Sequence, residues 1–227
     1  MGIIKDVYSE RKGEHFKHKS EPWSVVFIGR VFGVPIARAI ARLPFKVHPN
    51  VLTIITVPLS LIACFYFFKN LLILGAIFYF MGYIFDCADG TLARLTNTVS
   101  KTGARLDFYT DILNNVFMYF GLWYSQYYLT GQWFLGGSII AAHYFIMVFG
   151  YMFLSKLTYK TISPRICSYY VHADEGFLTF FFAPITGYFI FIFPVLVSLQ
   201  FISYIVLFIK QDKMPDIKAN IKKILKF

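Results

Sequence analysis

The stretch Asp86-Cys87-Ala88-Asp89-Gly90-Thr91-Leu92-Ala93-Arg94, followed after eight residues by Gly103-Ala104-Arg105-Leu106-Asp107-Phe108-Tyr109-Thr110-Asp111, places four carboxylates inside or beside apolar sequence. A carboxylate at bilayer depth costs on the order of 3 kcal/mol on insertion scales, so four close together call for compensating cations. Asp86 and Asp89 are three apart and Asp107 and Asp111 four apart, which puts each pair on one face of a helix. The two faces converge if the segment between them folds one helix back beside the other. Gly90 follows Asp86 by one turn and Gly103 precedes Asp107 by one turn, so a ligand or a neighbouring backbone can approach closely next to each pair.

The surrounding sequence belongs in lipid. Of 227 residues, 57% are hydrophobic, 20% aromatic and only 15% charged, too little charge for a soluble domain of this length. A spanning helix needs roughly 20 apolar residues, and Val51 to Phe68, Leu71 to about Ile84, Asp107 to Tyr128 and Trp133 to Leu154 supply four spans. Residues 176–209 are too long for one crossing. Ala183-Pro184 and Gly187 predict a turn near Thr186 to Tyr188 that divides them into two.

Trp23 to Leu43 interleaves Val, Phe and Ile with Arg30, Arg38 and Arg42, and holds Gly33 and Pro35. It reads as a broken amphipathic helix lying in the membrane interface. The predicted fold is therefore all-α: a polytopic bundle of six transmembrane helices with an amino-terminal interfacial helix. Residues 1–46 form the amino terminus and that helix, 47–210 the six-span domain and 211–227 a basic tail. No cleaved signal peptide is expected at the amino terminus. Cys64, Cys87 and Cys167 lack the spacing of a disulfide framework or zinc site.

Charge supports this topology independently. Twenty-one of the 22 Lys and Arg fall in the amino-terminal region, the segment Arg94 to Arg105, the segment Lys156 to Arg165 and the tail from Lys210, leaving only Lys69 for the opposite side. Cytoplasmic segments carry the excess of Lys and Arg, which makes both termini and the aspartate-bearing side cytoplasmic. The tail from Asp216 to Phe227 could bind anionic headgroups as a surface helix or stand as a solvated positive-inside tail, and no nucleic-acid partner is expected.

Oxygen-only carboxylate ligands suit a hard cation such as magnesium or manganese, and four of them balance two divalent ions. Two adjacent metals can bridge a diphosphate, polarise the phosphoryl under attack and stabilise the departing oxygen. The bland alternative pairs the aspartates with Arg94, Lys101 and Arg105 as intramembrane salt bridges, which leaves the two glycines without a role. An EF-hand is excluded, because its ligands alternate along a twelve-residue loop. A divalent-cation transporter with the aspartates as transit site is the competing function. All twelve Asp and Glu fall on the cytoplasmic side or its margin, which favours an enzyme fed from that side.

The pattern Asp86-x-x-Asp89-Gly90-x-x-Ala93-Arg94, eight residues, Gly103-x-x-x-Asp107-x-x-x-Asp111 resembles the signature of the CDP-alcohol phosphotransferase family at all eight fixed positions and all spacings. Val47-His48-Pro49-Asn50-Val51-Leu52-Thr53 is similar to the family's lead into its first span. The resemblance implies that a hydroxyl attacks the β-phosphorus of a CDP-linked alcohol, releasing CMP and forming a phosphodiester in phospholipid biosynthesis. By the same analogy Asp86, Asp89 and Asp107 hold two metals, while Asp111 completes the metal site and acts as general base. Gly90 and Ala93 leave room for the ribose, Arg94 offsets phosphate charge, and Gly103 belongs to the same donor site. Asn50 and Thr53 are nucleotide candidates too, though Asn50, ahead of an apolar run, equally suits a helix N-cap. The family's habit of pairing implies a homodimer.

The acceptor alcohol is less legible. The Pro and Lys around the last aspartate of many glycerophosphate-using members are absent here, as are the features of the choline, ethanolamine and serine branches. Lys156, Lys160, Arg165 and Arg105 could cradle a polyol phosphate such as inositol phosphate, or serve as anchors snorkelling to headgroups. The donor implied is CDP-diacylglycerol or its archaeal ether analogue. His172, Asp174 and Glu175 suit the amino-terminal cap of the fifth span.

Overall fold

The computed structural model describes residues 24–143 and 176–187, and every regular element among them is helical. Element α1 (Val25–Gly33) has π-helical geometry and runs straight into α2 (Val34–Ala41). The long helices are α3 (Pro49–Phe68), α4 (Leu72–Leu95) and α5 (Lys101–Trp123), the last continued by a π-helical segment, Tyr124–Leu129. Then come α6 (Trp133–His143) and α7, built from Leu178–Phe182 and Ala183–Thr186. The remainder of the fourth span, the Lys156 to Arg165 segment, His172, Asp174, Glu175, most of the predicted sixth span and the tail lie outside the described residues.

Local chemistry sets the helix ends. His48 has extended backbone and its ring accepts from the Asn50 amide at 3.2 Å, while Pro49 occupies the first turn, where its missing N–H costs nothing. This corrects one expectation: Asn50 lies inside the helix, and His48 is its cap. α3 closes at Asn70, which takes a left-handed φ of 58°, as the Leu71 amide reaches back to the Tyr66 carbonyl at 2.9 Å. α4 ends in the same way, with Asn97 at φ 54° and the Thr98 amide on the Ala93 carbonyl at 2.9 Å. Ser100 then caps α5 by accepting from the Gly103 amide at 3.0 Å. Only five residues separate α4 from α5, so the chain reverses directly after Arg94 and turns the second aspartate pair back towards the first.

The predicted break at Gly33 and Pro35 is not found. Gly33 is helical at φ −67°, and Pro35 sits in the first turn of α2. The glycine instead permits close packing, because a Cβ there would lie 3.0 Å from the Cys87 Cβ. Val34 and Ala37 are buried, and Ala37 joins Leu52, Ala88 and Leu92 in a cluster behind the first aspartate pair. At the other predicted turn Pro184 does not interrupt the helix. Gly187, at φ 72°, ends it.

Two helices, Pro49–Phe68 and Leu72–Leu95, are long and apolar enough to cross a membrane. Their most apolar windows are only 33% and 28% buried, whereas the core helix of a soluble domain would be mostly enclosed. Val51, Ile54, Leu61, Phe65, Ile73 and Ile77 point outward, as lipid-facing side chains do. A second cluster, including Ala63, Phe67, Met118, Leu122 and Phe180, fills the end of the bundle away from the aspartates.

α4 and α5 do not pack on each other as a simple hairpin. Each lies along α3, and their backbones scarcely approach one another. Small residues permit this: a Cβ on Gly121 of α5 would lie 2.6 Å from the Cys64 carbonyl oxygen of α3. The aspartates therefore face each other across a gap backed by α3.

Candidate active site

Asp86 and Asp89 occupy the last three turns of α4, and Asp107 and Asp111 the second and third turns of α5. One carboxylate oxygen from each of Asp86, Asp89 and Asp107 lies within 4.8 Å of the others. Asp111 lies within electrostatic reach of this group, and all four carboxyls lie within electrostatic range of one another. The helical spacing thus delivers the convergence it predicted. Like charges this close favour a cation between them. Three carboxylate oxygens gathered this closely form a donor set that fits a hard divalent cation such as magnesium.

Among the described residues, charge balance by salt bridges is not the arrangement found. Arg94 is exposed, and its guanidinium donates to Thr91 Oγ1 at 3.1 Å. Asp89, only 6% exposed, accepts instead from Thr53 Oγ1 of α3. Thr53 has one hydroxyl proton and directs it at that carboxylate, fixing its rotamer as an outer-shell partner does for a metal ligand.

The donor-site candidates share this end of the bundle. The Asn50 side chain comes beside α5, where a Cβ on Gly103 would lie 3.3 Å from its Oδ1. A Cβ on Gly90 would meet only the flexible end of Arg94, at 3.4 Å, so there is open space next to the first aspartate pair. Ala93 follows one turn further along α4. Arg105 is exposed near the start of α5. Lys156, Lys160 and Arg165, predicted to join it, lie outside the described residues.

A model of the CDP-alcohol phosphatidyltransferase family matches residues 46–221. The chain belongs to this family. It is also similar to archaetidylinositol phosphate synthase from Pyrococcus horikoshii, with 40% identity over 76 residues. That match covers 34% of this chain and 40% of the relative's length. An acidic cluster able to hold divalent cations lies within the matched residues.

Several polar residues near the site have no place in that signature. Tyr79 lies seven residues, two turns, before Asp86 and within electrostatic reach of Asp86 and Asp111. Asn114, three residues beyond Asp111, bonds to Thr56 and Ser60 of α3. Both positions share a helix face with an aspartate, which was a usable signal. Which neighbouring helix they meet was not encoded in that spacing.

Proposed function

We propose that this protein transfers a phosphatidyl group, or its archaeal ether counterpart, from a CDP-linked lipid to a hydroxyl of inositol phosphate or a related polyol phosphate, releasing CMP. The observation that carries this reading is the convergence of Asp86, Asp89 and Asp107 from α4 and α5, with Asp111 in electrostatic reach, beside the open space at Gly90, in a chain of this family. The name of the Pyrococcus relative supports the polyol phosphate acceptor. Family membership also favours a transferase over a cation transporter.

Asp86, Asp89, Asp107 and Asp111 would hold two Mg2+ or Mn2+ ions, which when bound neutralise the diphosphate and polarise the phosphoryl group under attack. Asp111 takes the proton of the acceptor hydroxyl. The acceptor oxygen forms its bond to the β-phosphorus as the bond to the CMP phosphate oxygen breaks, and CMP leaves with that electron pair. Asn50, Thr53, Gly90, Ala93, Arg94 and Gly103 border the nucleotide, with Thr53 holding Asp89 in place. Arg105, Lys156, Lys160 and Arg165 receive the acceptor's phosphate.

The wider frame of the proposal has six spans over residues 47–210, an interfacial helix within 1–46 and a basic tail at 211–227. Both termini and the active site face the cytoplasm, and the chain works as a homodimer. The deciding experiment measures CMP release from CDP-diacylglycerol and CDP-archaeol against a panel of alcohols and polyol phosphates. Release that depends on inositol phosphate is expected. Release with a non-phosphorylated alcohol alone would reassign the acceptor, and no release with any pair would overturn the transferase reading.

A further inference from the structure

The seam between α3 and α5 carries a polar network one turn below the aspartates. Thr56 Oγ1 donates to the Thr53 carbonyl at 2.7 Å and accepts from Asn114 Nδ2 at 2.8 Å. Asn114 Oδ1 accepts from Ser60 Oγ at 2.7 Å, a hydroxyl whose single proton is shared with the Val57 carbonyl at 2.8 Å. Thr56 and Ser60 are buried, and they sit four residues apart on one face of α3. The single amide of Asn114 thus donates to one hydroxyl and accepts from the next, while Thr53, one turn away, holds Asp89 of α4.

An apolar seam resists separation but does not specify register, because hydrophobic contact is non-directional. A satisfied polar network does specify it. Sliding α5 by one residue, about 1.5 Å, would misalign the amide with both hydroxyls. Since the backbones of α4 and α5 scarcely approach one another and each lies along α3, the position of each relative to α3 contributes to how far apart the two aspartate pairs stand.

We propose that Asn114 is a positioning residue: by bridging Thr56 and Ser60 it locks α5 to α3, and with the Thr53–Asp89 bond this sets the distance across which Asp107 and Asp111 face Asp86 and Asp89. The inference rests on the reading of these aspartates as a cation site. It assigns Asn114 no contact with substrate.

The test uses the full chain in detergent with Asn114→Leu, Thr56→Val and Thr56→Ser. Manganese affinity, followed without substrate by the resonance signal of free Mn2+, is expected to fall about 10- to 100-fold in Asn114→Leu and Thr56→Val. Thr56→Ser keeps the hydroxyl and is expected to retain the wild-type affinity. Separately, spin labels at the exposed positions Val51 and Tyr109, after alanine replacement of the native cysteines, report the α3–α5 distance without metal. Asn114→Leu is expected to shift or broaden that distance distribution. A folded Asn114→Leu protein with either wild-type Mn2+ affinity or an unchanged distribution overturns the proposal. If Asn114→Leu does not fold, Thr56→Val carries the same two comparisons. Should the wild-type chain bind no Mn2+, the cation reading falls and the distance measurement alone decides the role of Asn114.

Discussion

At the residue scale, the four aspartates divide by what holds them. Asp89 is buried and fixed by Thr53, and Asp86 and Asp107 complete the cluster of closely spaced oxygens. Asp111 lies within electrostatic reach of the other three, and the Asn115 side-chain amide donates to its backbone carbonyl at 2.8 Å. Asp111→Asn should therefore lower turnover by about 10²- to 10⁴-fold, the usual worth of a general base, while binding of the CDP-linked donor persists. Turnover by that variant at the wild-type rate would remove Asp111 from the base role. Thr53→Val keeps the shape but removes the hydroxyl. It should weaken Mn2+ binding by about 10- to 100-fold with little change in folding, measured by metal titration and thermal melting side by side.

At the element scale, α3 is the part on which the site is assembled. Its amino-terminal half carries Asn50, Thr53 and Thr56, Ser60 follows one turn on, and further along Cys64 packs against Gly121. In Gly121→Ala the new methyl would lie 2.6 Å from a backbone oxygen that cannot rotate away, so α3 and α5 must spread. Overpacking of this kind costs about 1–3 kcal/mol. The expected outcome is a lower melting temperature together with reduced activity; an unchanged melting curve would show that the seam yields more easily than its geometry suggests. The turn between α4 and α5 contributes by stopping one helix at Asn97 and restarting the next at Ser100, which keeps the two aspartate pairs at the same depth.

At the scale of the whole molecule, the aspartates lie at one end of the bundle and an aromatic cluster at the other. Trp123 stacks on Tyr127 with ring centroids 5.5 Å apart, Tyr124 on Tyr128 at 5.3 Å, and Trp133 is exposed beside them. Rings of this type suit a membrane–water boundary. At the same end, buried Ser125 and Gln126 bond to Asn70 and satisfy polar groups that lipid could not. The aspartates at the opposite end form the proposed cation site. Removal of divalent metal with excess chelator should abolish transfer, and added Mg2+ or Mn2+ should restore it. Full activity in the chelator would exclude the two-cation mechanism.

The amino-acid sequence by itself determined the helical, membrane-embedded class, the pairing of the aspartates on two faces and the family. These follow from composition, from spacings of three and four residues, and from a signature contained in 26 consecutive residues, all of them local quantities. The tertiary structure decided what those faces meet. α4 and α5 straddle α3, Thr53 turns to Asp89, Asn114 joins Thr56 and Ser60, and Gly33 packs against Ala88 and Cys87 where a break was predicted. Each depends on a contact between residues more than 30 positions apart. Helical periodicity says which side chains share a face, but the partner of that face is chosen by shape and hydrogen bonding once the helices pack.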